Sequence, residues 1–111
     1  MFYMPKYHNL PDGRQVFLRF PDPQRHAEAV SALLEGIPAG EEAAAFLSRI
    51  NADPMGLVLV AEIAGNVAGC GLLELDQPVR LQTAAAEGCR ELEGLMEQAL
   101  KEVAAQKGVE L

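Results

Sequence analysis

Two carboxylates stand at the ends of apolar runs, Glu62 after Leu57–Ala61 and Glu74 after Val67–Leu73, where a general base for an amine could be held. The commoner role for such residues is a solvated strand end, and both are read that way. His8 and His26 are the only imidazoles, and neither has a Cys or carboxylate around it at a metal-ligand spacing, so no metal site is expected. Cys89 lies near the start of a predicted helix, where a thiolate gains stabilisation. Glu87, Glu91 and Glu93 nearby offset that gain. No Ser-His-Asp set or P-loop is visible, and the glycines of GNVAGCG do not open a helix as a dinucleotide-binding loop requires.

The elements that would position these groups are set by patterning. Pro11-Asp12-Gly13 is a turn signal, and Gln15–Phe20 after it is rich in strand formers. Asp22 before Pro23 has the composition of a helix N-cap, and Ala27, Val30, Leu33, Leu34 and Ile37 recur at helical spacing, which predicts a helix over 23–36 ending near Gly36 and Pro38. Glu41 to Ile50 predicts a second helix, closed by Asn51, Asp53 and Pro54. Leu57–Ala61 reads as a strand buried on both faces, and Val67–Leu73 as its hairpin partner across a turn at Gly65-Asn66. Gly69 and Gly71 alternate on one side of the second arm, leaving room for a helix to approach. Val79–Ala84 predicts a further strand. From Glu87 on, Leu92, Leu95, Met96, Ala99, Leu100 and Val103 mark a long amphipathic helix, supported by the Glu97/Lys101 pair on its other face. Gly108 sits where a C-cap belongs, and Val109–Leu111 looks like the beginning of another strand.

With 111 residues, half of them apolar and 17 of them Gly or Pro, the chain suits a single domain over 1–111 rather than a disordered segment. Its net charge of −7, of which −6 falls after Arg49, is the wrong sign for a nucleic-acid backbone or an anionic membrane. No apolar stretch reaches a membrane span, and the opening residues lack a secretory pattern. Two cysteines, Cys70 and Cys89, fit a reducing compartment as small buried groups, so a cytoplasmic location is expected.

Strand, two helices, hairpin, strand, then a long helix leading to a new strand resembles the amino-terminal two thirds of the GNAT superfamily of acyl-CoA-dependent N-acyltransferases. LPDGRQVFLRFPDPQRHAEAVSALLEGI looks like that family's first strand and helix, LVLVAEIAGNVAGCGLLEL like its central hairpin, and LMEQALKEVAAQKGVEL like its cofactor-side helix. The resemblance covers roughly residues 12–111. It implies an α/β (α+β) fold in which a mixed, mostly antiparallel sheet is packed between helices, here without the family's last strands.

It also implies an acetyl-CoA site made by the main chain of Leu81, Gln82 and Thr83 and by the loop Gly88, Cys89 and Arg90. In the family that loop takes the form Arg or Gln, two residues, Gly, one residue, Gly or Ala, because glycines let helix-terminal N–H groups close on a pyrophosphate. Here the matching six residues are Gly88-Cys89-Arg90-Glu91-Leu92-Glu93, with carboxylates at both small positions. A shift of one or two residues brings Arg90 to the lead and Gly94 near the end, and Glu93 stays inside. Like charges a few ångströms apart repel by on the order of 1 kcal/mol in water and more near a low-dielectric surface. Acidic residues in a first helical turn also stabilise the bare helix dipole.

Two functions are therefore expected. One is a degenerate family member with weak or no acetyl-CoA binding that acts as a binding or assembly module; the other is an active N-acetyltransferase acting on a small-molecule or protein amine. Without the last strands the sheet has an open edge, which predicts a homodimer or a partner chain covering it.

Overall fold

A computed structural model of the chain describes residues 3–34, 41–76 and 78–109. Its elements are β1 (Lys6–Asn9), β2 (Gln15–Arg19), α1 (Pro23–Leu33), α2 (Glu41–Ala52), β3 (Gly56–Ile63), β4 (Asn66–Glu74), β5 (Arg80–Ala85) and α3 (Glu91–Gln106). The five strands form one sheet in the order β1-β2-β3-β4-β5, every neighbouring pair antiparallel. The fold is α+β, with helices on both faces of that sheet. No helix is long and apolar enough to cross a membrane among the described residues.

Alternation along β3 and β4 decides which residues meet which helix. Val58, Val60, Cys70 and Leu72 point to one face, where they pack with Ala27, Val30, Leu34, Ala43, Leu47 and Ile50 from α1 and α2. Leu57, Leu59, Ala61 and Leu73 point to the other and pack with Leu92, Met96, Leu100 and Val103 of α3. Because both faces are covered, β3 is apolar from Leu57 to Ala61 and β4 from Val67 to Leu73.

The predicted approach of a helix over Gly69 and Gly71 is present. A Cβ at Gly71 would lie 2.8 Å from Leu100 Cδ1, and one at Gly69 would lie 3.0 Å from Met96 Cε. Helix ends also obey local chemistry. The Asp22 carboxylate accepts the N–H groups of Gln24 and Arg25, with Pro23 at the first position of α1. At the end of α3, Val109 N–H donates to the Ala104 carbonyl and Gly108 N–H to that of Ala105, with Gly108 at φ +79°, a Schellman closure. Asn51 Oδ1 accepts the Val58 N–H at 2.8 Å, tying the end of α2 to β3.

Several boundaries differ from the sequence expectation: α3 begins at Glu91 rather than at Glu87, because the chain first turns at Ala86–Cys89, and β5 runs one residue later than expected, Arg80–Ala85. The residues before the Pro11–Gly13 turn form a strand, β1, paired to β2 from Lys6↔Leu18 to Asn9↔Gln15. The β3–β4 turn centres on Ala64 and Gly65, with φ of +52° and +82°, rather than on Gly65-Asn66, because two positive-φ central residues match the twist of the flanking strands. Helix α1 ends at Leu33; the expected extension through Gly36 towards Ile37 and Pro38 lies outside the described residues, as do Glu110 and Leu111 of the expected last strand.

Candidate functional site

The residues expected to hold a cofactor lie along the edge strand β5 and in the turn that follows it. Leu81, Gln82 and Thr83 pair with Leu73, Leu72 and Gly71 of β4, and all three are half-buried. After β5 the ladder extends by one bond, Ala86 N–H to the Ala68 carbonyl at 2.8 Å. Ala86 to Cys89 then makes a tight turn in which Cys89 N–H donates back to the Ala86 carbonyl and Gly88 takes φ +81°, the conformation that favours glycine. Arg90 is the exposed N-cap of α3 and supplies no side-chain cap. The chain thus brings Gly88, Cys89 and Arg90 directly onto the helix N-terminus.

The other groups at this helix end come from the far end of the sequence. Arg14, just before β2, donates through Nε to Asp12 at 2.6 Å, through Nη1 to Cys89 Sγ at 3.5 Å, and through Nη2 to a Glu91 carboxylate oxygen. These contacts hold the Arg14 guanidinium in its charged form, the Cys89 contact being the largest influence. Glu91 and Glu93 occupy the first turn of α3. Two N–H groups of that turn are already used, Leu92 donating to the Cys89 carbonyl and Glu93 to that of Arg90. The first turn of α3 therefore carries two carboxylates, one of them paired with Arg14, and has two of its N–H groups engaged in turn bonds.

Of the two thiols, Cys70 is fully buried between β4 and the α1/α2 layer, and burial pushes it up to about 12. Neither cysteine is in a disulfide.

The second polar centre lies on the α1/α2 face of the sheet. Glu62 is not a solvated strand end: it is 7% exposed, because it succeeds Val58 and Val60 in alternation and faces the start of α1. Three groups surround its carboxylate, Arg19 Nη1 at 3.4 Å, Arg25 Nη2 at 3.6 Å and His26 Nε2 at 3.8 Å. His26 accepts the Asp22 N–H at Nδ1 (2.8 Å), which leaves the proton of the neutral ring on Nε2. Burial lowers the His26 pKa, and Glu62 pulls it the other way. Glu74, by contrast, sits at the end of β4 beside Arg80 Nη1 at 3.6 Å and is part-exposed.

Sequence reasoning singled out Glu62 and His26 separately but not their meeting. The available signal was parity: Glu62 shares a strand face with Val58 and Val60. His8 lies on β1, away from this centre, and among the described residues no group of three His, Cys, Asp or Glu side chains could hold a metal ion. Comparison with protein-family models, with curated proteins and with solved structures gives no match for this chain.

Proposed function

We propose that the chain is a GNAT-like scaffold with weak or no acetyl-CoA binding that serves as a binding or assembly module. Element order and layering support the scaffold: a hairpin-centred sheet with α1 and α2 on one face and α3 on the other. The observation that carries the loss of coenzyme is the Arg14–Glu91 ion pair at the N-terminus of α3, with Glu93 in the same turn. A pyrophosphate docked on Gly88, Cys89 and Arg90 would meet both carboxylates and would have to take Arg14 from two acidic partners.

A second reading, an active acetyl-CoA-dependent N-acetyltransferase using Leu81–Thr83 and Gly88–Arg90, is favoured by one feature, the exposed Arg90 at a helix N-cap with no side-chain cap. The two diverge in a thermal-shift titration with acetyl-CoA and CoA. A ligand at 100 times its dissociation constant adds about 2.7 kcal/mol, several degrees in a domain of this size. The module reading predicts no shift at millimolar ligand, and a saturable shift favours the enzyme.

For assembly, β5 ends the strand order among the described residues, and a terminal strand is the natural place for a second copy or a partner chain to pair. A homodimer along β5 in a reducing, cytoplasmic setting completes this reading. Sedimentation equilibrium tests it, and a monomer at all concentrations with no partner would remove the dimer.

A further inference from the structure

Glu62 forms one wall of an open cleft of about 500 Å³ at the end of the sheet where β2 begins and the β3–β4 turn closes. Along its floor Phe17 is the cross-strand partner of Glu62, and Tyr7 is the partner of Phe17. The Tyr7 and Phe17 rings are stacked, with centroids 4.4 Å apart and planes inclined by 21°, and Tyr7 is 62% exposed. A carboxylate and an aromatic platform therefore stand side by side on one surface. None of these three residues belongs to the loop expected to hold coenzyme.

The carboxylate is compensated without being hydrogen-bonded. Charge-assisted N–H···O bonds run at roughly 2.7–2.9 Å. The nitrogens around Glu62 stand at 3.4, 3.6 and 3.8 Å, and among the described residues no hydrogen bond reaches its side chain. His26 Nε2 is likewise buried without a hydrogen-bond partner. Arg19 is held by its own Nε bond to the Phe20 carbonyl, and Arg25, 58% exposed, donates from Nη2 to the Gly65 carbonyl at 3.3 Å, so its 3.6 Å contact with Glu62 is the one an incoming cation has to displace. Arg14, which also borders the cleft, has its charge matched by Asp12 and Glu91. The chain as a whole carries −7, which draws cations towards it.

We propose that this cleft binds the arginine side chain of a partner chain. A guanidinium is the one cation that both forks onto a carboxylate with two parallel N–H bonds and lies flat on an aromatic face. On binding it takes the place of Arg25 at Glu62 Oε2, releasing that side chain from the Gly65 carbonyl as well, while Arg19 stays beside Oε1, and it rests against Tyr7. The cleft falls within the size range of small-ligand sites, enough for a side chain and its adjoining backbone, and its open edge runs along β1, the first strand of the sheet.

The test is an amide chemical-shift titration of the intact chain with the peptide acetyl-GGRGG-amide, with acetyl-GGKGG-amide and methylguanidine as the comparison arms. The expected result is saturable shifts around Phe17, Glu62 and Gly65, with the arginine peptide binding more tightly than either comparison. Glu62→Gln should weaken the arginine peptide about tenfold to a hundredfold. Tyr7→Ala, an exposed substitution that leaves the core intact, should weaken it severalfold, and Arg25→Ala should strengthen it by removing the internal competitor. No saturable shift at millimolar arginine peptide, equal binding of the lysine peptide or methylguanidine, or weaker binding by Arg25→Ala would each overturn the proposal.

Discussion

His26 Nε2 faces Glu62 Oε2 across 3.8 Å, with the two side chains 3% and 7% exposed. Burial depresses the imidazole pKa against the opposing pull of Glu62, while Arg19 and Arg25 lower it further and Asp22 raises it. A base depressed in the fold takes up its proton more readily when unfolded, so its stabilising contribution is complete above the unfolded value near 6.5 and is lost as pH falls through that value towards the folded one. The melting temperature of the wild type should fall between about pH 7.5 and about pH 5.5. His26→Gln, whose side-chain oxygen can still accept the Asp22 N–H, should flatten that slope. An equal slope in the variant would separate the pair from the pH response.

Close packing of α3 on β4 makes Gly71 sensitive. Leu100, whose Cδ1 would sit 2.8 Å from an added Cβ, is fully buried and has no room to turn aside. Gly71→Ala should cost about 1–3 kcal/mol in urea unfolding. In a Leu100→Ala background the same change should cost at least roughly 0.5 kcal/mol less, because the obstructing methyl is gone. Additive effects would place the strain elsewhere.

At the β3–β4 turn Ala64 occupies the left-handed region at φ +52°, a conformation that costs an ordinary residue about 1–2 kcal/mol. Ala64→Gly should raise stability by up to about 1 kcal/mol, since glycine enters that region freely but loses more freedom on folding. Ala64→Val should lower it. Chemical denaturation distinguishes the two directions.

The thiols should differ in reactivity. Cys70 is fully buried with its pKa pushed up to about 12, while Cys89, also buried but retaining 9% exposure, lies in the turn before α3 beside Arg14. Mass spectrometry after brief alkylation of the native chain near pH 8 should find the label on Cys89 and little on Cys70 until unfolding. Equal labelling of both would contradict the burial of Cys70.

How far these features were legible depends on how local their causes are. The Asp22–Pro23 start of α1 and the Gly108 end of α3 are set by a few adjacent residues, so composition alone reveals them. Gly69 and Gly71 announce the α3 contact because only a close neighbour explains two absent side chains on one strand face. Strand β1 carries no such mark: Lys6-Tyr7-His8-Asn9 is short and polar, and its pairing is imposed by the Leu10–Arg14 turn and β2. The hairpin turn was displaced by one residue because alanine gives no sign of a positive φ. The polar centres were the least visible. Glu62 draws its partners from β2 and α1, and Arg14 reaches Glu91 across 77 positions of sequence, distances that no window of neighbouring residues spans.

The most direct measurement of the central claim is a backbone amide titration with CoA that tracks Gly88, Cys89 and Arg90. With Glu91 and Glu93 in the first turn of α3 and Arg14 committed to Glu91, these three signals should stay in place up to millimolar CoA. Saturable displacement centred on them, at micromolar CoA, would contradict the account.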